Sequence, residues 1–463
     1  MLKNVLALVV LASTGMLGGQ AERRTVSLVI TGGTVVTMNA AGQVLTPGAV
    51  AIDGRDVAAV GAPEAIAARF AGRETLDATG QIVMPGLVNT HTHAPMVLYR
   101  GLADDLALMD WLENYIFPAE AKTVSPEFVR AGTRLAALEM IQSGTTTYAD
   151  MYYFEEEIAK VTKDAGLRGV LGQTVIQFPV ADAKTPAEAL ARTEAFIRQF
   201  AGDDLITPAV APHSMYTLDT KTLKSVRALA DRERAPILIH LAETQDEVKR
   251  SRQTHKMTPT AYLDSIGFWG ARTVAAHGVW LTPADIGTLS RRGIGVSHNP
   301  ESNMKLASGT AKVPAMRAAG IHVGLGTDGA ASNNDLDMFE AMRQAAFLHK
   351  LQTGDPRAVP SRTALEMATI EGARALGLDT QIGSLEAGKR ADLIAVSMAS
   401  ARQTPMYDPL SHLVYVTRGD DVRTTIVNGR VLMRDRKVLT LNEADVLGEA
   451  RAFAEKVRAA VAK

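Results

Sequence analysis

The hydrophobic pattern changes its period along the chain. Ser27–Thr31, Thr34–Met38, Gly48–Asp53 and Asp56–Val60 are short β-branched runs. They are joined at Gly32-Gly33 and Asp53-Gly54, dipeptides of the kind that supply hairpin turns. They predict a small antiparallel sheet. Ala391–Ser397, Val422–Val427 and Arg430–Met433 repeat the texture far along the chain, so both ends are expected to build one domain. Between them, short apolar runs alternate with longer stretches of helical periodicity, the pattern of repeated βα units on a parallel sheet. Eight strands are predicted there, near Ile82–Val88 with its His-Thr-His extension, Thr145–Met151, Arg168–Val175, Leu205–Pro212, Pro236–Leu241, Thr273–His277, Gly293–Ser297 and Ile321–Thr327. The expected fold is therefore α/β, a (β/α)8 barrel of the TIM type with a small β-sandwich made from both chain ends. In such a barrel the chemistry gathers at the carboxyl ends of the strands. After Asn442, residues Val446, Ala450, Phe453, Val457 and Ala460 share one face at helical spacing, which predicts a helix packed on the body.

The first residues add a segment of a different kind. Lys3 precedes an apolar run from Val5 to Ala12 that continues to Leu17, and Gly19-Gln20-Ala21 forms a small-residue cleavage site before Glu22. This is the layout of a secretory leader, and the run is too short to span a bilayer. The expected divisions are a signal peptide at 1–21, β-sandwich at 22–83 and 381–440, the barrel at 84–380, and a terminal helix at 441–463. Export is expected, to the periplasm in a Gram-negative source; a misassigned start codon would instead leave the protein cytoplasmic.

Composition narrows the chemistry. With 46% hydrophobic and 21% charged residues, the chain can bury a sizeable core. Its 49 basic residues against 50 acidic ones include no long basic run, so the phosphate attraction required of a nucleic-acid binder is missing. Cysteine is absent, which excludes disulfides, thiolate catalysis and sulfur ligation. Any metal must be held by His and carboxylates.

Six of the ten histidines, His91, His93, His213, His240, His277 and His298, lie at or just past the carboxyl end of a predicted strand. Side chains alternate along a strand with period two, so His91 and His93 face one side and can grip one ion together. A lone His-x-His is equally compatible with two core histidines. His240 and Asp328 end two further strands, and four ligand-type side chains at three strand ends match a catalytic metal site better than packing. Three imidazoles and one carboxylate suit one divalent metal, zinc or Fe(II), with a position left for water. Glu243, three residues past His240, is placed to carry protons between water and substrate. His277 is either a structural histidine in the Ala275-Ala276-His277-Gly278 turn or a group that stabilises the developing intermediate.

Met84-Pro85-Gly86-Leu87-Val88-Asn89-Thr90-His91-Thr92-His93 resembles the strand-one signature of the amidohydrolase superfamily. Arg100–Leu106, Ala211–Ser214, His240–Thr244, His298–Gly309 and Gly326–Asp337 are similar to segments of the 5-methylthioadenosine/S-adenosylhomocysteine deaminases. These belong to a branch that also holds guanine and cytosine deaminases and triazine hydrolases. The resemblance implies metal ligation by His91, His93, His240 and Asp328, catalysis by Glu243, His277 and Asp328, and substrate contacts from Glu120, His213 and Glu243. It implies one metal, because the fourth-strand Lys that bridges two metals in binuclear relatives has no counterpart in Leu205–His213. The implied reaction is hydrolytic deamination of a small aminated heterocycle, above all the adenine ring of 5-methylthioadenosine, S-adenosylhomocysteine or adenosine. A homo-oligomer is compatible with it. Arg100 and Arg168 are candidates to hold a substrate carboxylate. Trp111 either flanks the purine or belongs to the core. The alternatives are guanine or pterin deamination or triazine chlorohydrolysis at the same site, amide hydrolysis, or a non-catalytic binding protein.

Overall fold

A computed structural model describes residues 23–461. The expected leader at 1–21 lies outside them. No helix among the described residues is long and apolar enough to cross a membrane.

Five strands open the chain: β1 (Arg24–Val36), β2 (Val44–Asp53), β3 (Asp56–Gly61), β4 (Phe70–Asp77) and β5 (Gln81–Pro85). Eight follow: β6 (Leu87–Thr92), β7 (Thr145–Tyr152), β8 (Arg168–Val175), β9 (Ile206–Pro212), β10 (Ile237–Leu241), β11 (Thr273–His277), β12 (Gly295–His298) and β13 (Val323–Leu325). The last four are β14 (Leu393–Ser397), β15 (Val422–Val427), β16 (Arg430–Arg434) and β17 (Lys437–Val438). Strands β6 to β13 close a parallel barrel, and the other nine form one sheet in which β14 from the far end pairs with β5. The expected union of the two chain ends in one sheet is present, with β4 and β5 running parallel to β1.

Two local readings are corrected. Gly32-Gly33 is not a hairpin turn; it is an irregularity within the single strand β1, where the register against β2 shifts. A Cβ on Gly33 would lie 2.8 Å from the carbonyl oxygens of both Ala78 and Gln81, so glycine is needed there for close approach rather than for turning. The run Ile82–Val88 is also two strands, divided at Gly86, where a Cβ would sit 2.1 Å from Thr146 Oγ1. The first half completes the sheet and the second enters the barrel.

All eight residues of β7 and of β8 are buried, as expected of parallel strands covered on both faces. The helices begin where the sequence offers caps: Ser125, Thr185, Asp219, Thr244, Thr258 and Thr282 each accept a backbone N–H in the first turn of the helix that follows, satisfying donors that a helix start leaves free. The terminal helix Glu443–Val461 buries Val446, Ala450, Phe453 and Val457. Phe453 meets Phe128 edge to face at 5.9 Å. Lys122 Nζ donates to the Ala460 carbonyl at 2.9 Å, so this helix braces Phe117–Thr123, the helix that carries Glu120.

Candidate metal and active site

Barrel closure brings residues more than 230 positions apart to one end. His91 and His93 come from β6 and its exit, His213 follows β9, His240 lies on β10, His277 ends β11, and Asp328 follows β13. The ligand atoms of His91, His93 and His240 lie within 4.8 Å of one another, as do those of His91, His277 and Asp328. His91 Nε2 and His93 Nε2 are each 3.3 Å from Asp328 Oδ1, and His240 Nε2 is 3.3 Å from His93 Nε2.

The outer nitrogens explain why the inner ones face each other. His93 Nδ1 donates to the Met151 carbonyl at 2.6 Å and His240 Nδ1 to the His213 carbonyl at 2.7 Å, which leaves each Nε2 lone pair pointing inward, as metal-ligating imidazoles require. His91 Nε2 is buried without a hydrogen-bond partner. Such an orphan is costly unless a ligand satisfies it. Together with the neighbouring carboxylate, these convergent nitrogens fit a divalent cation such as zinc.

Asp328 is held firmly. Its Oδ2 accepts hydrogen bonds from Ser302 Oγ at 2.7 Å and Ser332 Oγ at 3.0 Å. Its φ of +63° and that of His277, +73°, lie in the left-handed region, uncommon outside glycine and typical of strain kept at functional positions. His277 Nδ1 is 2.9 Å from Asn303 Oδ1, and its Nε2 lies 3.8 Å from Glu243 Oε2.

Burial dominates the electrostatics. It pulls His91 down to about 4, His213 to about 3 and His240 well below the usual range, so these rings are neutral and free to ligate or accept. Burial acts on His93 in the same direction, but the hydrogen bond and charge of Asp328, with Asp150 and the Met151 carbonyl, outweigh it and bring His93 to about 9, so that a cation bound here would displace a proton from this ring. Asp328 is held well below the carboxylate range because the imidazoles of His91 and His93, each 3.3 Å from Oδ1, outweigh its burial. Burial raises Glu243 and pushes Glu120 up to about 7, the latter against the opposing bond from Tyr152.

Above this cluster lies a half-open pocket lined by apolar and aromatic side chains around a few convergent polar groups, the composition usual in a small-ligand site. Glu120, 8% exposed, sits in its wall and accepts from Tyr152 Oη at 2.7 Å. Trp111, buried, faces the same space beside Leu112, Ile116 and Phe117. His91 lies beneath the lining. His298 stands apart: it is fully buried and pairs with His349, Nε2 to Nε2 at 3.1 Å.

Arg100 and Arg168 do not reach this pocket. Arg168 opens β8 at the opposite end of the barrel, where its guanidinium is buried against Asp392 at 2.8 Å and donates to the Asp204 carbonyl. Arg100 pairs with Glu139. Among the described residues no Lys or Arg lines the pocket. Sequence reasoning missed Ser302, Ser332, Asn303 and Glu247. The Thr244-Gln245-Asp246-Glu247 capping pattern was the available signal for the last.

The model of the amidohydrolase family matches residues 82–432. The 5-methylthioadenosine/S-adenosylhomocysteine deaminase 1 of Syntrophus aciditrophicus is 46% identical over 433 residues, 94% of this chain and 98% of that one. The 5′-deoxyadenosine deaminase of Methanosarcina mazei is 44% identical over 436 residues, 94% of this chain and 99% of its own. An adenosine deaminase from Xanthomonas campestris, crystallised with bound zinc, superposes with a TM-score of 0.93 at 39% identity, covering 95% of this chain and 100% of that chain. A zinc-complexed atrazine chlorohydrolase from Arthrobacter aurescens, at 22% identity and a TM-score of 0.85 over 92% of this chain and 100% of that one, shares the fold.

Proposed function

The chain belongs to the amidohydrolase family, and from that premise we propose that it hydrolytically deaminates the adenine ring of a 5′-substituted adenosine, at a single zinc held by His91, His93, His240 and Asp328. It is a hydrolase acting on carbon–nitrogen bonds of cyclic amidines. The observation that carries this reading is the joint placement, at one barrel mouth, of inward-facing ligand nitrogens, a buried carboxyl (Glu243) beside them, and a buried acid (Glu120) in the pocket wall.

The chemistry a zinc ion supplies in such a site is activation of water at neutral pH. The chain's own groups then move protons. Asp328, ionised and placed beside the ligand nitrogens, would take a proton from the attacking water. Glu243, whose carboxyl burial raises, is suited to hold a proton and deliver it to the ring nitrogen next to the amine-bearing carbon. His277, oriented through Nδ1 by Asn303, stabilises charge on the incoming oxygen. The proton held by Asp328 passes to the departing amine, the added hydroxyl returns a proton to Glu243, and ammonia leaves the 6-oxo product behind. Glu120 receives the ribose hydroxyls, and His213 contacts the ring.

The absence of a basic side chain from the pocket lining favours an uncharged 5′ group. Leu108, Leu112, Ile116 and Phe117 line the same pocket as Glu120, and a zwitterionic amino-acid tail there would be buried with no Lys or Arg to pair its carboxylate, which is costly. 5-Methylthioadenosine and 5′-deoxyadenosine are therefore expected to exceed S-adenosylhomocysteine in kcat/KM by at least about tenfold, the equivalent of one missing charged hydrogen bond. Ammonia release across the three substrates, with guanine and a chlorotriazine alongside, is the assay. Equal or better turnover of S-adenosylhomocysteine would overturn the 5′ assignment, and turnover of guanine or the triazine alone would overturn the ring assignment. In Glu243→Gln, turnover is expected to fall by orders of magnitude with zinc still near one per chain.

A further inference from the structure

Glu243 lies in the short turn between β10 and the helix Gln245–His255. The backbone around it is held from both sides. Ala242 takes a φ of +49°, and its carbonyl accepts from Trp280 N at 2.9 Å. On the other side stands Glu247, 5% exposed. Its Oε1 accepts the Ala242 N–H and its Oε2 the Glu243 N–H, both at 2.9 Å. Thr244 caps the helix by accepting from Glu247 N at 3.2 Å. In an ordinary capping box the third residue bonds back to the cap's own N–H; here the side chain reaches past the cap to the two residues before it. A carboxylate whose two oxygens bind successive amides fixes a peptide plane in both tilt and position.

We propose that Glu247 is a positioning residue for the deamination, its two oxygens fixing the backbone from which Glu243 reaches the substrate. The inference rests on the role given above to Glu243. Displacing a proton-transfer group by about 1 Å can cost on the order of 100-fold in rate while substrate contacts made elsewhere persist. The effect should therefore fall on kcat and spare KM and metal content.

The test uses the full zinc-loaded chain. Glu247→Gln keeps the size of the side chain but turns an NH2 group toward one of the two amides. Its kcat is expected to drop by about 10- to 100-fold, with KM, zinc content and melting temperature close to the parent. Asp246→Asn, an exposed neighbour on the same helical turn, is expected to match the parent. A parent-like kcat in Glu247→Gln, or a loss that tracks zinc or melting temperature, overturns the positioning role. If Glu247→Gln does not fold, Glu247→Asp takes its place, since the shorter side chain cannot hold both amides: kcat should fall at constant KM, and a parent-like kcat overturns the proposal. Glu243→Gln, measured in parallel, separates the two assignments. If it is inactive while Glu247→Gln is parent-like, only the positioning role fails; if it is itself parent-like, the reading of Glu243 fails and the positioning role with it.

Discussion

Replacing Ser302 by Ala removes one hydroxyl and leaves the fold of its helix, Pro300–Lys305, with every backbone bond it had. What is lost is a 2.7 Å hydrogen bond to Asp328 Oδ2, made by a side chain fully buried with its acceptor. A hydrogen bond to a charged group contributes about 1.5–3 kcal/mol. Ser332 still donates to the same oxygen at 3.0 Å and limits the loss to the lower half of that range. Because about 1.4 kcal/mol is tenfold in an equilibrium constant, zinc should bind about 10- to 30-fold more weakly to Ser302→Ala, within the range typical of groups that orient metal ligands. Ser302→Ala/Ser332→Ala should lose about 100-fold or more, since Asp328 would then keep a buried oxygen without either hydroxyl donor. Competition against a chromophoric chelator gives the dissociation constants, and metal analysis after dialysis gives occupancy. Zinc affinity within threefold of the parent in both variants would refute the claim that these serines hold Asp328 as a ligand.

Two other outcomes follow from the same geometry. Glu120 is held protonated up to about pH 7 by burial, and in its proposed role it would serve ribose hydroxyls as an acceptor; kcat/KM should then rise as pH climbs from 6 toward 8 and level off above. Glu120→Gln should lower kcat/KM and flatten that limb, and an unchanged limb would remove Glu120 from substrate binding. The sign for folding is the reverse: because this carboxyl's folded value lies above the ordinary 4.5, stability present at low pH diminishes as pH rises through 4.5 to 7. The leader reading predicts that the full gene expressed in a Gram-negative host yields periplasmic protein beginning at Glu22, by N-terminal sequencing; an intact Met1 in the cytoplasm would contradict it.

The barrel was legible because burial on both strand faces leaves continuous apolar runs, and because its chemistry sits at strand ends where His240, His277 and Asp328 interrupt them. What escaped was set by tertiary contact. Gly32-Gly33 carries a turn's local signature, yet the backbones of Ala78 and Gln81 press against it and make it part of one strand. Gly86 looks like any residue in an apolar run until Thr146 is packed beside it. Ser302 and Ser332 are short polar residues in loop-rich motifs, and only closure of β13 against β6 brings Asp328 into line with His91. The basic candidates failed for two reasons: Arg168 opens β8 and so faces the opposite end of the barrel, and Arg100 is taken up by Glu139 outside the pocket.

The central claim is that water replaces the ring amine at this site when zinc is present. The direct measurement is turnover of 5-methylthioadenosine in 18O-labelled water by the zinc-loaded protein, with a chelated sample and Glu243→Gln in parallel. The account predicts one ammonia released per nucleoside consumed, one 18O atom at the ring carbon that carried the amine, and loss of both signals in the two controls. Intact substrate, or a product without ring-bound 18O, would contradict it.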